Sequence, residues 1–127
     1  QPDAHSGEIP VAYVVVKDKQ QTTLSELLKH CQTQISERAA IPKRIEILDS
    51  LPITAVGKVF KPLLRNSATE FSVNALFKAH DISAQVKSEF VPEKGQVVHI
   101  QLSNKQDQQQ VAKLLVAFPV LVNYSHL

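Results

Sequence analysis

The chain has 127 residues and a mass of 14.1 kDa, room for one domain or two very small ones. Hydrophobic residues make up 43% of it and charged residues only 20%, the balance of a folded chain and not of a disordered one. A net charge of +2 is too small to imply nucleic acid, the lone Cys31 cannot close an internal disulfide or anchor a Cys-rich zinc site, and no apolar run approaches the roughly 20 residues that cross a bilayer.

Ile9–Lys17 (IPVAYVVVK) is rich in β-branched residues and apolar on both faces, which predicts a strand covered on both sides. Thr23-Leu-Ser-Glu26 is a capping-box pattern, hydroxyl at the N-cap and carboxylate three residues on. Behind it Leu24, Leu27, Leu28, Cys31 and Ile35 form one stripe of an amphipathic helix that should end before Pro42. On that stripe Cys31 is expected to be an inert core thiol. Arg44–Leu48 alternates and predicts a short strand.

Residues 49–59 read as a loop, with Pro52 and Gly57. Pro62 suits the first turn of a following helix, and Leu64, Ala68, Phe71 and Ala75 keep helical spacing. Residues 74–80 continue this helix or begin another. Ala84–Val91 alternates, as do Val98, Ile100 and Leu102, and Pro92-Glu-Lys-Gly95 between them predicts a β-hairpin. Ser103 or Asn104 can cap a helix with Val111, Leu114, Leu115 and Phe118 on one face, stopped by Pro119. Residues 120–124 form a last strand. The fold class is therefore α+β, a small mixed sheet with packed helices (β-α-β-α) followed by a β-β-α-β part, which forms its own layer or extends the first sheet.

Charge is uneven. Residues 1–66 hold nine Lys/Arg against seven Asp/Glu, whereas residues 67–127 hold five of each. Between 38 and 65, Arg38, Lys43, Arg44, Lys58, Lys61 and Arg65 face only Glu46 and Asp49. The ordinary fate of such residues is a solvated basic face, and no exposed aromatics interleave them as a nucleic-acid surface would require. His30 and Cys31, adjacent on a helix, point about 100° apart and make no catalytic pair. His5, His80, His99 and His126 share no ligand spacing, so no metal site is expected.

The densest site-like stretch is Leu51–Arg65, LPITAVGKVFKPLLR. A glycine before a lysine on an irregular loop permits positive φ and can swing a long cation toward a partner. A phosphate-binding P-loop would need glycine at 52 and Ser/Thr at 59, but those positions are Pro52 and Val59. Taken alone, Lys58 is better explained as a solvated loop lysine, the commonest fate of that residue, than by chemistry.

As a motif the same stretch is more specific. Leu51-Pro52, Thr54, Gly57-Lys58, Lys61 and Leu64-Arg65 resemble the last core motif of the adenylate-forming superfamily, which holds acyl-CoA synthetases, peptide-synthetase adenylation domains and luciferases. Upstream, Pro2-Asp3, Gly7-Glu8 and the strand after them resemble the opening of its C-terminal lid domain, 24–38 its long helix, and 42–48 the strand before the lysine loop. The resemblance covers residues 1–66. Residues 67–127 resemble the C-terminal α+β extension of some larger bacterial members.

This resemblance implies a reaction of a carboxylic acid, such as a fatty acid, with ATP and CoA, giving acyl-CoA, AMP and pyrophosphate. Lys58 would be the catalytic lysine of adenylation. Gly57 and Thr54 would serve the substrate or ATP side, and Arg38, Lys43 and Arg44 are candidate contacts to CoA or phosphate. Mg2+ would enter with ATP in an N-terminal domain that lies upstream of Gln1 together with the hinge, and the chain alone would bind no cofactor and be inactive. The expected partners are that N-terminal domain and the substrates, with no nucleic acid and no membrane span. The expected location is the cytoplasm, since no basic-then-apolar leader opens the sequence, with a membrane-peripheral position left open. A carrier-protein thiol could replace CoA. The alternative reading is a stand-alone α+β module that binds a small ligand or regulates without catalysis.

Overall fold

The computed structural model describes residues 1–17 and 21–126. In chain order the elements are β1 (Pro2–Asp3), β2 (Gly7–Glu8), β3 (Val11–Val14), α1 (Leu24–Gln34), β4 (Arg44–Ile47), α2 (Lys61–Ala79), β5 (Ala84–Val91), β6 (Gly95–Leu102), α3 (Gln108–Leu115) and β7 (Leu121–His126). Three helices and small sheets of mixed direction make an α+β fold. The chain forms two compact units, Ile9–Lys61 and Gln1–Glu8 with Pro62–Leu127.

In Ile9–Lys61, β3 and β4 pair in parallel, Val11 opposite Arg44 and Val14 opposite Ile47. A parallel pair needs a crossover, and α1 supplies it. The capping box forms as expected: Glu26 N–H donates to Thr23 Oγ1 (3.2 Å), and Thr23 N–H donates to the Glu26 carboxylate (2.8 Å). The helix then ends at Gln34, well short of Pro42, with Ile35 as its extended C-cap. Coverage is where expectation fails. β3 is only four residues long and all four are half-buried, and Cys31 is half-buried too, so it is not a core thiol. A two-stranded sheet with one helix has too little surface to enclose an apolar stripe. Among the described residues of this unit only Pro42 and Ile45 are buried.

The other unit has a closed core. β5, β6 and β7 form one sheet in that order, β5–β6 antiparallel and β6–β7 parallel, with α3 as the crossover. It is a sheet of its own, which settles the layering of this part. Val86, Val98, Ile100 and Leu102 from the strands pack with Val73 and Phe77 of α2, Val111 and Leu115 of α3, and Ile82 and Phe118. Val73, Val98, Ile100 and Val111 are wholly removed from solvent, and burial of each contributes about 1.5–3 kcal/mol.

Helix α2 runs unbroken to Ala79, but its buried face is not the expected one. Ala68, Thr69, Val73 and Phe77 are buried, whereas Phe71 is 48% exposed and Ala75 is exposed. Thr69 can take a core position because its hydroxyl donates to the Arg65 carbonyl one turn back (2.9 Å). A polar network holds the helix to the hairpin. Ser88 N–H donates to the Glu70 carboxylate (2.8 Å), and the Gln96 amide donates to Asn66 Oδ1 (2.6 Å) and to Ser88 Oγ. The β1–β2 turn belongs to this unit. Asp3 accepts from the amides of Ser6 (2.7 Å) and His5 (3.1 Å), and Ser72 donates to the Pro2 carbonyl (2.8 Å). The Ser6 amide, ahead of the other contacts, lowers the Asp3 pKa from its ordinary 3.8.

Candidate functional site

Lys58 sits on a small hairpin whose shape is set by its own backbone. Ile53 and Val59 form an antiparallel bridge, and Phe60 N–H donates to the Pro52 carbonyl (2.8 Å). Inside that frame Thr54 N–H donates to the Lys58 carbonyl (2.7 Å), and Gly57 N–H donates to the Thr54 carbonyl (2.9 Å). Ala55, Val56 and Gly57 thus form a three-residue hairpin loop with its left-handed residue last. Gly57 has φ +80°, the conformation that a residue with a Cβ resists.

Thr54 closes the turn a third time, its hydroxyl accepting from Lys58 N–H (3.2 Å). The sequence pattern points to Thr54 only through the family motif, and this bond gives it a physical task in the free chain. Lys58 is exposed and makes no ion pair among the described residues. Sequence reasoning missed the apolar setting of the lysine. Ile53 is 66% exposed and Val56 81%, and Val59 and Phe60 are exposed as well. Four large apolar residues among the nine of 52–60 was the available signal.

The other candidates are not alike. Arg38 is exposed on a 3-10 turn, Arg38–Ala40. Lys43 is exposed, its amide tied to the Pro10 carbonyl (2.9 Å) at the start of the β3–β4 ladder. Arg44 is already engaged. It donates to Glu46 Oε2 (2.8 Å) and to the Tyr13 hydroxyl (3.3 Å), and its guanidinium lies 5.6 Å from the centre of the Tyr13 ring. Arg38 and Lys43 therefore present open cations, and Arg44 an internal one.

The recess among Pro2, Glu8, Arg65, Thr69, Gln96 and Pro119 has a volume of about 50 Å3, against the several hundred of a ligand pocket. Among the described residues no group of His, Cys, Asp and Glu could hold a metal ion, and no helix is long and apolar enough to cross a membrane.

Lys58 is thus presented on an open loop organised by its own hydrogen bonds. Residues 1–58, a little under half of the chain, match the AMP-binding enzyme C-terminal domain. Three relatives are CoA ligases by name. Marinolic acid–CoA ligase of a Pseudoalteromonas species is 41% identical over 80 residues, 63% of this chain and 12% of that protein. The long-chain-fatty-acid–CoA ligase of Haemophilus influenzae is 42% identical over 65 residues, 51% of this chain and 11% of that protein. The peroxisomal trans-cinnamate:CoA ligase of Petunia hybrida is 31% identical over 72 residues, 57% and 12% respectively. The chain thus spans only a small fraction of the length of the relatives it matches. No solved structure matches it.

Proposed function

We propose that the chain is the C-terminal lid of an AMP-forming acyl-CoA synthetase, which joins a carboxylic acid to CoA at the cost of ATP, releasing AMP and pyrophosphate. In this reading residues 1–66 are the lid subdomain and 67–127 a C-terminal extension. ATP with its Mg2+, and the acid, bind to a preceding domain. The observation that carries the reading is Lys58, exposed and without an ion-pair partner among the described residues, at the head of a loop fixed by its own hydrogen bonds. The relatives named above differ in their acids and share CoA, which supports CoA as acceptor over a carrier-protein thiol and leaves the acid, fatty or aromatic, to the preceding domain. ATP and CoA as substrates suit a cytoplasmic enzyme.

The chemistry asks for a mobile cation. Attack of a carboxylate oxygen on the α-phosphorus of ATP forms a P–O bond and expels pyrophosphate while negative charge gathers on the phosphoryl oxygens. The Lys58 ammonium, lying between the acyl carboxylate and those oxygens, stabilises that charge in the transition state. Ile53, Val56, Val59 and Phe60, exposed in the free loop, would be covered as the lysine enters the site, excluding water around the charge. Rotation of the lid then withdraws Lys58, and the CoA thiolate displaces AMP from the acyl carbon. Arg38 and Lys43 are the open cations for the phosphates of CoA; Arg44 supports the β3–β4 pair beside them.

The test separates the half-reactions. In the complete ligase, Lys58→Gln should lower acid-dependent pyrophosphate exchange by about 100- to 1,000-fold. It should leave thioester formation from supplied acyl-adenylate within a few-fold of the parent. Equal loss of both half-reactions would reject the role given to Lys58.

A further inference from the structure

The Lys58 loop is closed by main-chain bonds and by one bond that depends on a side chain. Thr54 N–H donates to the Lys58 carbonyl (2.7 Å), and the Thr54 carbonyl accepts from Gly57 N–H (2.9 Å). With that carbonyl engaged by Gly57, the Lys58 amide pairs instead with the Thr54 hydroxyl (3.2 Å). Among the described residues this is the one side-chain hydrogen bond within 52–60. Both main-chain polar groups of Lys58 thus end on Thr54, the carbonyl on its amide and the amide on its hydroxyl.

Burial separates the two residues. Within 53–60 Thr54 alone is half-buried, and every other residue, Lys58 included, is exposed. A half-buried hydroxyl that already accepts from Lys58 is poorly placed to meet a nucleotide and well placed to hold the lysine backbone. Thr54 is also β-branched, which restricts its own rotamers and keeps the acceptor where Lys58 needs it. A long lysine side chain loses much freedom when its ammonium reaches a reacting group. Freedom in the backbone beneath it would add to that loss, so a backbone already fixed lowers what remains to be ordered.

We propose that Thr54 is a positioning residue of adenylation, its hydroxyl fixing the Lys58 backbone so that the ammonium enters the site along one path. This role rests on that of Lys58 in the ligase reading, and Thr54 serves it through Lys58 and not by contact with ATP. It belongs to one half-reaction only, since the lysine is withdrawn before the thioester forms. The bond lies at an exposed loop, so its effect is that of one neutral hydrogen bond in water, about 3- to 10-fold.

Two substitutions in the complete ligase test it. Thr54→Val keeps the branched shape and removes the acceptor, whereas Thr54→Ser keeps the acceptor. Thr54→Val should lower kcat for acid-dependent pyrophosphate exchange about 3- to 10-fold with KM for ATP unchanged, and Thr54→Ser should stay within about twofold. Thioester formation from supplied acyl-adenylate should not change in either. In a Lys58→Gln background Thr54→Val should cause no further loss, because nothing is left to position. A raised KM for ATP, or a loss that multiplies with that of Lys58→Gln, overturns the proposal and puts the hydroxyl on the nucleotide. Parental kcat in Thr54→Val beside a crippled Lys58→Gln overturns it too, and leaves the ligase reading standing. Adenylation unharmed by Lys58→Gln overturns that reading and the proposal with it. Amide exchange in the 127-residue chain needs no turnover: Lys58 should be better protected than Val56 in the parent and lose about 3- to 10-fold of that protection in Thr54→Val. A Lys58 amide no better protected than that of Val56 overturns the proposal without any variant.

Discussion

The two units make opposite use of similar apolar content. Pro62–His126 closes a core in which ten residues from two helices, two strands and their connections are buried together. Ile9–Lys61 spreads its apolar residues over a strand pair and one helix, and among those described only Pro42 and Ile45 are buried. Yet the second region holds the candidate chemistry. Its lysine loop is built without a core, by three bonds between Thr54 and residues 57–58 and the Pro52–Phe60 closure. The difference teaches that the loop is organised locally, so its shape survives when its surroundings change. A lysine that must be delivered to one half-reaction and withdrawn for the next needs that property.

The loss of adenylation in Lys58→Gln is the largest effect this contrast predicts. Next is an effect on stability. Ile100→Ala removes a fully buried side chain from the closed core and should cost about 2–5 kcal/mol in urea unfolding. Leu24→Ala, at a position 47% exposed on α1, should cost well under half of that. Equal costs would erase the distinction between a closed and an open region.

Gly57→Ala acts on the loop alone. A Cβ there would meet no atom within 4 Å, so sterics beyond the backbone do not oppose it. The left-handed φ of +80° does, by about 1–2 kcal/mol. The formed loop should lose about 5- to 30-fold in population, and adenylation by the complete ligase should fall by no more than that. Gly57→Asn, which tolerates the left-handed region, should recover most of the loss. A loss as large as that of Lys58→Gln would mean that Gly57 meets substrate and is not only a pivot.

Much of this was legible in the chain. Thr23 and Glu26 announced α1, the 84–102 alternation around Gly95 announced the hairpin, and Val111 and Leu115 announced the inner face of α3. Gly57 announced its own φ. The buried face of α2 was hidden because Thr69, polar in sequence, satisfies its hydroxyl within the helix, and because Phe71, the largest apolar residue of the expected stripe, is half exposed. The coverage of β3 was hidden for another reason. Alternation and β-branching report that a strand can be buried on both faces, but not whether the unit contains enough partners to do it. Within the site, Lys58 was legible through its motif. That Arg44 is held by Tyr13 was not, because that contact follows from the parallel register of β3 and β4.

The smallest effect concerns acid. Glu26 accepts from Thr23 N–H, from the Thr23 hydroxyl (3.1 Å) and from the Thr22 hydroxyl (3.3 Å), and the first of these is the main reason its pKa lies below the ordinary 4.5. A carboxyl depressed in the folded state stabilises it above the unfolded value, and this contribution is lost as pH falls through the folded pKa. Helix α1 should therefore loosen only below pH 4.5, and the Thr23 amide resonance should titrate with a midpoint under that value. Glu26→Gln keeps an acceptor for the amide and removes the charge, so the acid-dependent part should vanish while α1 persists. Because the group is fully exposed, the effect is small and shrinks with added salt. A Thr23 midpoint at or above 4.5 would show that the box does not hold the carboxylate. The open region would then lack the local hydrogen bonds that stand in for its missing core.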